Sequence, residues 1–256
     1  MKSSPAPSNT ARFAARPLSG GGTPAHVWLD ARRELPVLDH SSCREIVVVG
    51  AHPDDETFGF GATTAMMADA GVRVQVLSAS DGGASHPDLS PPQRRQLEQL
   101  RRAELRSAAD ALGLSDPLSL GLPDGQIGDH EAELADMLTE ILAARPAGTW
   151  CAATWRGDGH PDHEAVGRAA AVAAARTGAQ LLEYPVWMWH WAHPDDSAIP
   201  WHRAYRVSLT RAAMLRKRVA AQVFRSQLEP AAPDAAPVIP AAVLRRLLAV
   251  GEVVFR

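Results

Sequence analysis

Cysteine is nearly absent from this chain. Two stand in 256 residues, Cys43 and Cys151, far apart and outside any C-x-x-C spacing. That removes a thiolate redox or metal motif; the pair reads as reduced core thiols, with one long-range disulfide as the alternative. Long apolar runs are missing too. The first 26 residues are rich in Ser, Pro, Gly and Ala and hold no signal-peptide core. No stretch reaches the roughly 20 apolar residues that cross a bilayer. The expectation is a cytoplasmic protein without membrane insertion. Net charge is −3, with Arg and acidic residues interspersed. No basic stripe awaits a phosphate backbone, so nucleic acid is not an expected partner. Nor does any unit of roughly 20–50 residues repeat.

What is present suits a soluble globular chain, with 46% hydrophobic and 21% charged residues, long enough for one large α/β domain or two small ones. Residues 1–26 read as a flexible or draped arm, and 27–256 as one domain. Residues 28–39 could form a short helix broken at Pro36. Compact apolar runs predict strands at 45–51, 72–80, 117–122, 149–155 and 179–189, with an edge strand at 203–210. Helical patterns fill 58–71, 91–114, about 129–145, 162–177 and the stretch up to Gln227. A Pro/Ala loop, a terminal helix and "EVVF" (252–255) follow. Alternation of this kind predicts a Rossmann-like open, mostly parallel sheet with helices on both faces.

Such sheets place ligands at the carboxyl ends of their strands. The strand "IVVVG" runs straight into "AHPDDE" (51–56), and a glycine-rich helix start follows. His52 and Asp55 can reach a common point from this turn, which Pro53 stiffens. Adjacent carboxylates rarely point the same way, so Asp54 and Asp55 have separate jobs. A second cluster, "TWRGDGHPDHEAVG" (154–167), packs His160, Asp162 and His163 into another strand-to-helix junction.

A lone His or Asp after a strand is usually a turn residue or a cap, and Asp162 alone would pass as an N-cap. A glycine-rich turn can also mark a dinucleotide site. Here the segment reads "GAHPDDETFGFG" rather than G-x-G-x-x-G, and its carboxylates would repel a pyrophosphate. Two dense clusters at two strand ends favour a metal. A His/Asp/His set with an open fourth position is the pattern of catalytic zinc.

With these residues in view, the chain resembles the LmbE-like, PIG-L family of zinc-dependent N-acetylglucosaminyl deacetylases. "AHPDDE" and "HPDH" (160–163) carry the likeness, with weaker support from "RRAELRSAADALG" (101–113), "LGLPDG" (120–125) and "RSQ" (225–227). The resemblance implies Zn2+ held by His52, Asp55 and His163, with Asp54 as general base. It implies that His160 stabilises the oxyanion or acts as acid and that Asp162 orients it, which would keep His160 protonated. Arg101 and Asp124 stand where family members contact the sugar, with Arg102 as the alternative to Arg101. The implied partner is a small-molecule amino sugar that loses its acetyl group. High Ala, Arg and Pro content suggests a GC-rich genome, where free-standing relatives often serve secondary metabolism. A zinc amidase cleaving a thiol conjugate or other small amide would use the same residues.

"AHPDDS" (192–197) repeats five letters of the first motif. It follows the aromatic run "YPVWMWHW", lacks the glutamate and has no companion "HPDH". It reads as a polar loop. Four of the seven tryptophans lie at 187, 189, 191 and 201. A spacing of two would put Trp187, Trp189 and Trp191 on one strand face. Core, homo-oligomer contact and substrate platform, the last with Trp189 at the mouth, stay open.

Overall fold

In a computed structural model of the chain, residues 7–31, 34–86, 88–232 and 234–256 are described. Two short helices come first, α1 (Asn9–Ala14) and α2 (Ala25–Asp30). The chain then alternates: β1 (Glu45–Gly50), α3 (Asp55–Asp69), β2 (Arg73–Ser80), α4 (Pro91–Leu112), β3 (Leu118–Leu122), α5 (Glu131–Ala143), β4 (Trp150–Thr154), α6 (Pro161–Thr177) and β5 (Gln180–Tyr184). The remainder holds α7 (Met188–Trp191), β6 (Ala204–Arg206), α8 (Arg211–Ala221), α9 (Arg225–Leu228), α10 (Ala241–Ala249) and β7 (Val253–Phe255).

Among the described residues the strands form one sheet in the order β3-β2-β1-β4-β5-β7-β6. The first five are mutually parallel, whereas β7 runs antiparallel to both β5 and β6. The expected mostly parallel α/β sheet is what the chain builds. Successive residues of β1 face opposite ways, as the pleat requires. Ile46 and Val48 enter one core with Phe60 and Leu182, while Val47 and Val49 enter the other with Leu134 and Ala169. Chain order reverses between β1 and β4, so their carboxyl ends open a crevice where loops diverge. Both histidine turns stand there.

Close packing fixes the second turn. A Cβ on Gly167 would lie 2.5 Å from the Thr154 carbonyl oxygen and 2.6 Å from the Arg156 nitrogen. Only glycine lets α6 lie this near the end of β4. Thr154 Oγ1 then donates to the His163 carbonyl at 3.0 Å. At the far side of the sheet, fully buried Glu252 accepts from Lys217 Nζ (2.7 Å) and from the Ala62 and Thr63 amides of α3 (2.9 and 2.8 Å).

Two expectations need correction. The strand at 179–189 ends at Tyr184, and the aromatic run turns into the single helical turn α7. The cause is Asp158, whose carboxylate accepts from the amides of Val186, Trp187 and Met188 at 2.9–3.0 Å and so curls the segment. Trp187, Trp189 and Trp191 therefore share no strand face. Trp189 is buried edge-on against Trp28 at 5.0 Å, and the Trp191 indole donates to the Asp158 carbonyl at 2.6 Å. The edge strand at 203–210 shrinks to Ala204–Arg206, although it does sit at the sheet edge. Of the two readings of the N-terminal arm, residues 7–26 take the draped one and lie on the body. Asn9 donates to the Gly157 carbonyl (2.8 Å), Thr10 to Glu164 (3.2 Å), and Phe13 packs on Trp187 with ring centroids 5.2 Å apart. Both cysteines are free and buried. No helix among the described residues is long and apolar enough to cross a membrane.

Candidate metal centre and active site

The turn after β1 is strained at one position. Asp54 has φ 141°, a region that costs a non-glycine residue about 1–3 kcal/mol and persists only where surroundings enforce it. Its N–H donates to Glu56 Oε2 at 3.2 Å. Buried Arg101 clasps the same turn, donating to the Pro53 carbonyl at 2.9 Å and to Asp54 Oδ2 at 3.0 Å. The neighbouring carboxylates diverge. Asp55 opens α3 and accepts the His52 N–H at 2.8 Å, while Asp54 faces Arg101.

The start of α6 supplies the other half. His163 is fully buried, with Nδ1 2.8 Å from Asp158 Oδ2. Its Nε2 has no hydrogen-bond partner and lies 3.1 Å from Asp55 Oδ1. A neutral ring that gives Nδ1–H to Asp158 turns the Nε2 lone pair onto a carboxylate oxygen, an arrangement that calls for a cation. His52 is built alike. Its Nδ1 stands 3.4 Å from Asp55 Oδ2, and its Nε2 is 3.0 Å from Asp124 and 3.1 Å from Asp162. His52, Asp55 and His163 offer ligand atoms within 4.8 Å of one another. Carboxylates on the far nitrogens fix tautomer and orientation, as they do around metal-bound histidines.

Charge tells the same story. Burial alone would lower both histidines, but the surrounding carboxylates raise His52 well above its usual range and His163 to about 9. The pocket carries more negative charge than its residues neutralise, which suits a divalent cation. For Asp54, burial outweighs Arg101 and pushes the carboxyl up to about 8. His160 moves the other way. Burial, with His163 and His52 beside it, pushes it down to about 3, so the ring is neutral.

His160 is therefore not held protonated by Asp162. The Asp162 carboxylate is spent elsewhere, accepting from Gly125 N (2.8 Å) and Ile127 N (3.2 Å) and contacting His52. The Asp162 backbone N–H instead donates to His160 Nδ1 at 3.3 Å, which leaves the ring proton on Nε2. Asp124 is in the site, with one oxygen on His52 and the other accepting Ala84 N at 2.6 Å. Arg101 rather than Arg102 reaches the site; Arg102 pairs with Asp81. Trp189 is a second correction, since it packs in the core while Trp187 lines the cavity.

That cavity measures about 210 Å³. His52, Asp54, Asp55, His160, Arg101 and Asp124 furnish much of its polar lining, and Trp187, Val238, Ile239 and Leu247 lie along its apolar part. Asp158 and Glu56 carry work that sequence reasoning did not assign them. Glu56 was visible as the last letter of "AHPDDE"; Asp158 gave no signal beyond its nearness to His163. The second copy plays a different part. Asp196 pairs with Arg12 of α1 and accepts from Ala198 N (3.0 Å). Neither metal-competent group among the described residues includes it.

A 1D-myo-inositol 2-acetamido-2-deoxy-alpha-D-glucopyranoside deacetylase from Kineococcus radiotolerans is 37% identical over 134 residues, covering 47% of this chain and 37% of the relative. A probable N-acetyl-alpha-D-glucosaminyl L-malate deacetylase from Bacillus cereus is 29% identical over 136 residues, covering 52% and 62%. The chain thus spans only part of each relative's length. Its fold is like that of N,N'-diacetylchitobiose deacetylase from Pyrococcus horikoshii, with a TM-score of 0.57 and 22% identity over 76% of this chain and 73% of the other. Residues 47–174, which run from within β1 into α6 and so include both histidine turns, match the model of the GlcNAc-PI de-N-acetylase family, PIG-L, and the chain belongs to that family.

Proposed function

We propose that this protein is a zinc-dependent hydrolase that removes the acetyl group from an N-acetylglucosaminyl small molecule. His52, Asp55 and His163 would hold the ion. The observation that carries the reading is the partnerless Nε2 of buried His163, aimed at Asp55 beside a strained Asp54. Zinc, when bound, supplies a Lewis acid that acidifies water and polarises a carbonyl.

The protein's own groups do the rest. Asp54, steered by Arg101 and made more basic by burial, takes a proton in its deprotonated form as water attacks the acetamide carbon. Neutral His160 donates Nε2–H to the oxygen that gains charge in the tetrahedral state. The C–N bond then breaks, and the proton on Asp54 passes to the departing amine. Acetate and a free amino sugar result. Arg101 acts through Asp54 in this scheme, and Asp124 and Asp162 act through His52.

Metal content and acetate release test the proposal together. Purified protein should hold one zinc per chain and release acetate from N-acetylglucosaminyl compounds. His163→Ala should lose both. Full zinc occupancy in His163→Ala, or no acetate from any such compound, would overturn it.

A further inference from the structure

We infer that the substrate carries an uncharged, apolar group that rests against Trp187, Val238, Ile239 and Leu247. This rests on the deacetylase reading and names the class of compound that the same cavity takes. The wall is built by elements remote from the chemistry. Val238 and Ile239 precede α10 and Leu247 lies within it, all outside the family match at 47–174. The feature therefore belongs to this chain's own later segments rather than to the matched region.

The wall is also fixed in place. The Trp187 amide donates to Asp158 at 2.9 Å, and Phe13 packs on the indole. The Ile239 amide donates to the Gln227 carbonyl at 2.8 Å. A preformed apolar surface favours ligands that bury apolar area without ordering cost.

Charge excludes the alternatives. Among the described residues lining the cavity, Arg101 is the one permanent cation. Its guanidinium is committed to Asp54, the Pro53 carbonyl and the Gly82 carbonyl. A dicarboxylate such as malate, named for the Bacillus cereus relative, would meet Asp54 and Asp124 with no uncommitted Lys or Arg in the lining to receive it. A polyol would set hydroxyls against aliphatic side chains that cannot pair them. Ser85 and Gln227, also in the lining, can serve sugar hydroxyls instead.

The apolar group could be the aglycone or a longer acyl chain on the amide. Calorimetry on the full-length Asp54→Asn protein, expected to keep its metal but turn over slowly, distinguishes them. One arm compares methyl, phenyl and naphthyl N-acetylglucosaminides with N-acetylglucosaminyl malate; the other compares N-acetyl with N-hexanoyl methyl glucosaminide. In one arm the apolar compound should bind about ten-fold or more tighter than its methyl or acetyl parent, and malate should gain nothing. Val238→Asp, at a partly exposed position, and Trp187→Ala should each bring that ratio close to one. Equal affinities in both arms, tightest binding by the malate compound, or ratios unchanged in both variants would overturn the inference. Binding in this variant is read apart from turnover, so a retained apolar preference with no acetate release by the wild-type protein would sink the deacetylase reading and leave the wall.

Discussion

Asp54 and Asp158 are both buried carboxylates, yet their partners assign them opposite duties. Asp54 meets a guanidinium and an open cavity, the setting in which the proposed mechanism has it accept a proton. In Asp54→Asn the side chain keeps its shape and loses its basicity. Zinc content should stay at one per chain while acetate release falls about 10²-fold or more; near-normal turnover would assign the proton to another group. Asp158 never faces the cavity. It fixes the His163 ring and three amides, two just before α7 and one at its first residue. Asp158→Asn should weaken zinc about 10–100-fold, as loss of a carboxylate behind a metal-bound histidine does, measured by competition with a chromophoric chelator. Affinity equal to wild type would show that packing alone orients His163. His52, Asp54, Asp55, His160 and His163 were legible because each cluster lies within a few residues of chain. The true partner of the Asp162 carboxylate was not, because it depends on where the loop carrying Gly125 and Ile127 arrives.

Elements were legible where the pattern was local and misleading where a distant group intervened. "EIVVVG" became β1 almost residue for residue, since a β-branched run buried on both faces has few other outcomes. The run 184–191 has the composition of a strand as well, but one carboxylate from the loop after β4 captures its amides and winds it up. Composition cannot show such a capture. The contact between β4 and α6 offers a test at this scale. Gly167→Ala would force its methyl against backbone atoms that cannot swing aside. The cost should be about 1–3 kcal/mol, read from urea unfolding, and zinc should weaken as the start of α6 shifts. A variant as stable as wild type would mean that α6 can lift from the sheet without strain.

At the scale of the whole molecule, a single buried ion pair joins regions distant in sequence. Glu252 precedes β7, Lys217 lies on α8, and together they grip α3, with Lys217 also donating to the Phe58 carbonyl at 2.7 Å. Lys217→Met would leave a buried carboxylate without its cation. The expected loss is about 3–5 kcal/mol in denaturant unfolding. Lys217→Met with Glu252→Gln should recover part of it, because no uncompensated charge remains. A single variant that loses under about 1 kcal/mol would show that the helix amides alone satisfy Glu252. None of this was legible, since a lysine and a glutamate far apart in sequence look like ordinary surface residues. The draped arm was half legible: its polar, proline-rich composition gave no hint that Phe13 would meet Trp187.

The strand order has a bearing on how the protein comes into being. β5 and β6 are synthesised before β7, the strand that belongs between them. Until residues 253–255 leave the ribosome, β5 keeps an open edge and β6 lacks its ladder partner. A nascent chain can form both histidine turns early, since they depend on β1 and β4. Leu247 of the cavity wall is also late to arrive. Translation thus delivers the histidine and aspartate cluster well before it delivers the apolar wall of the cavity.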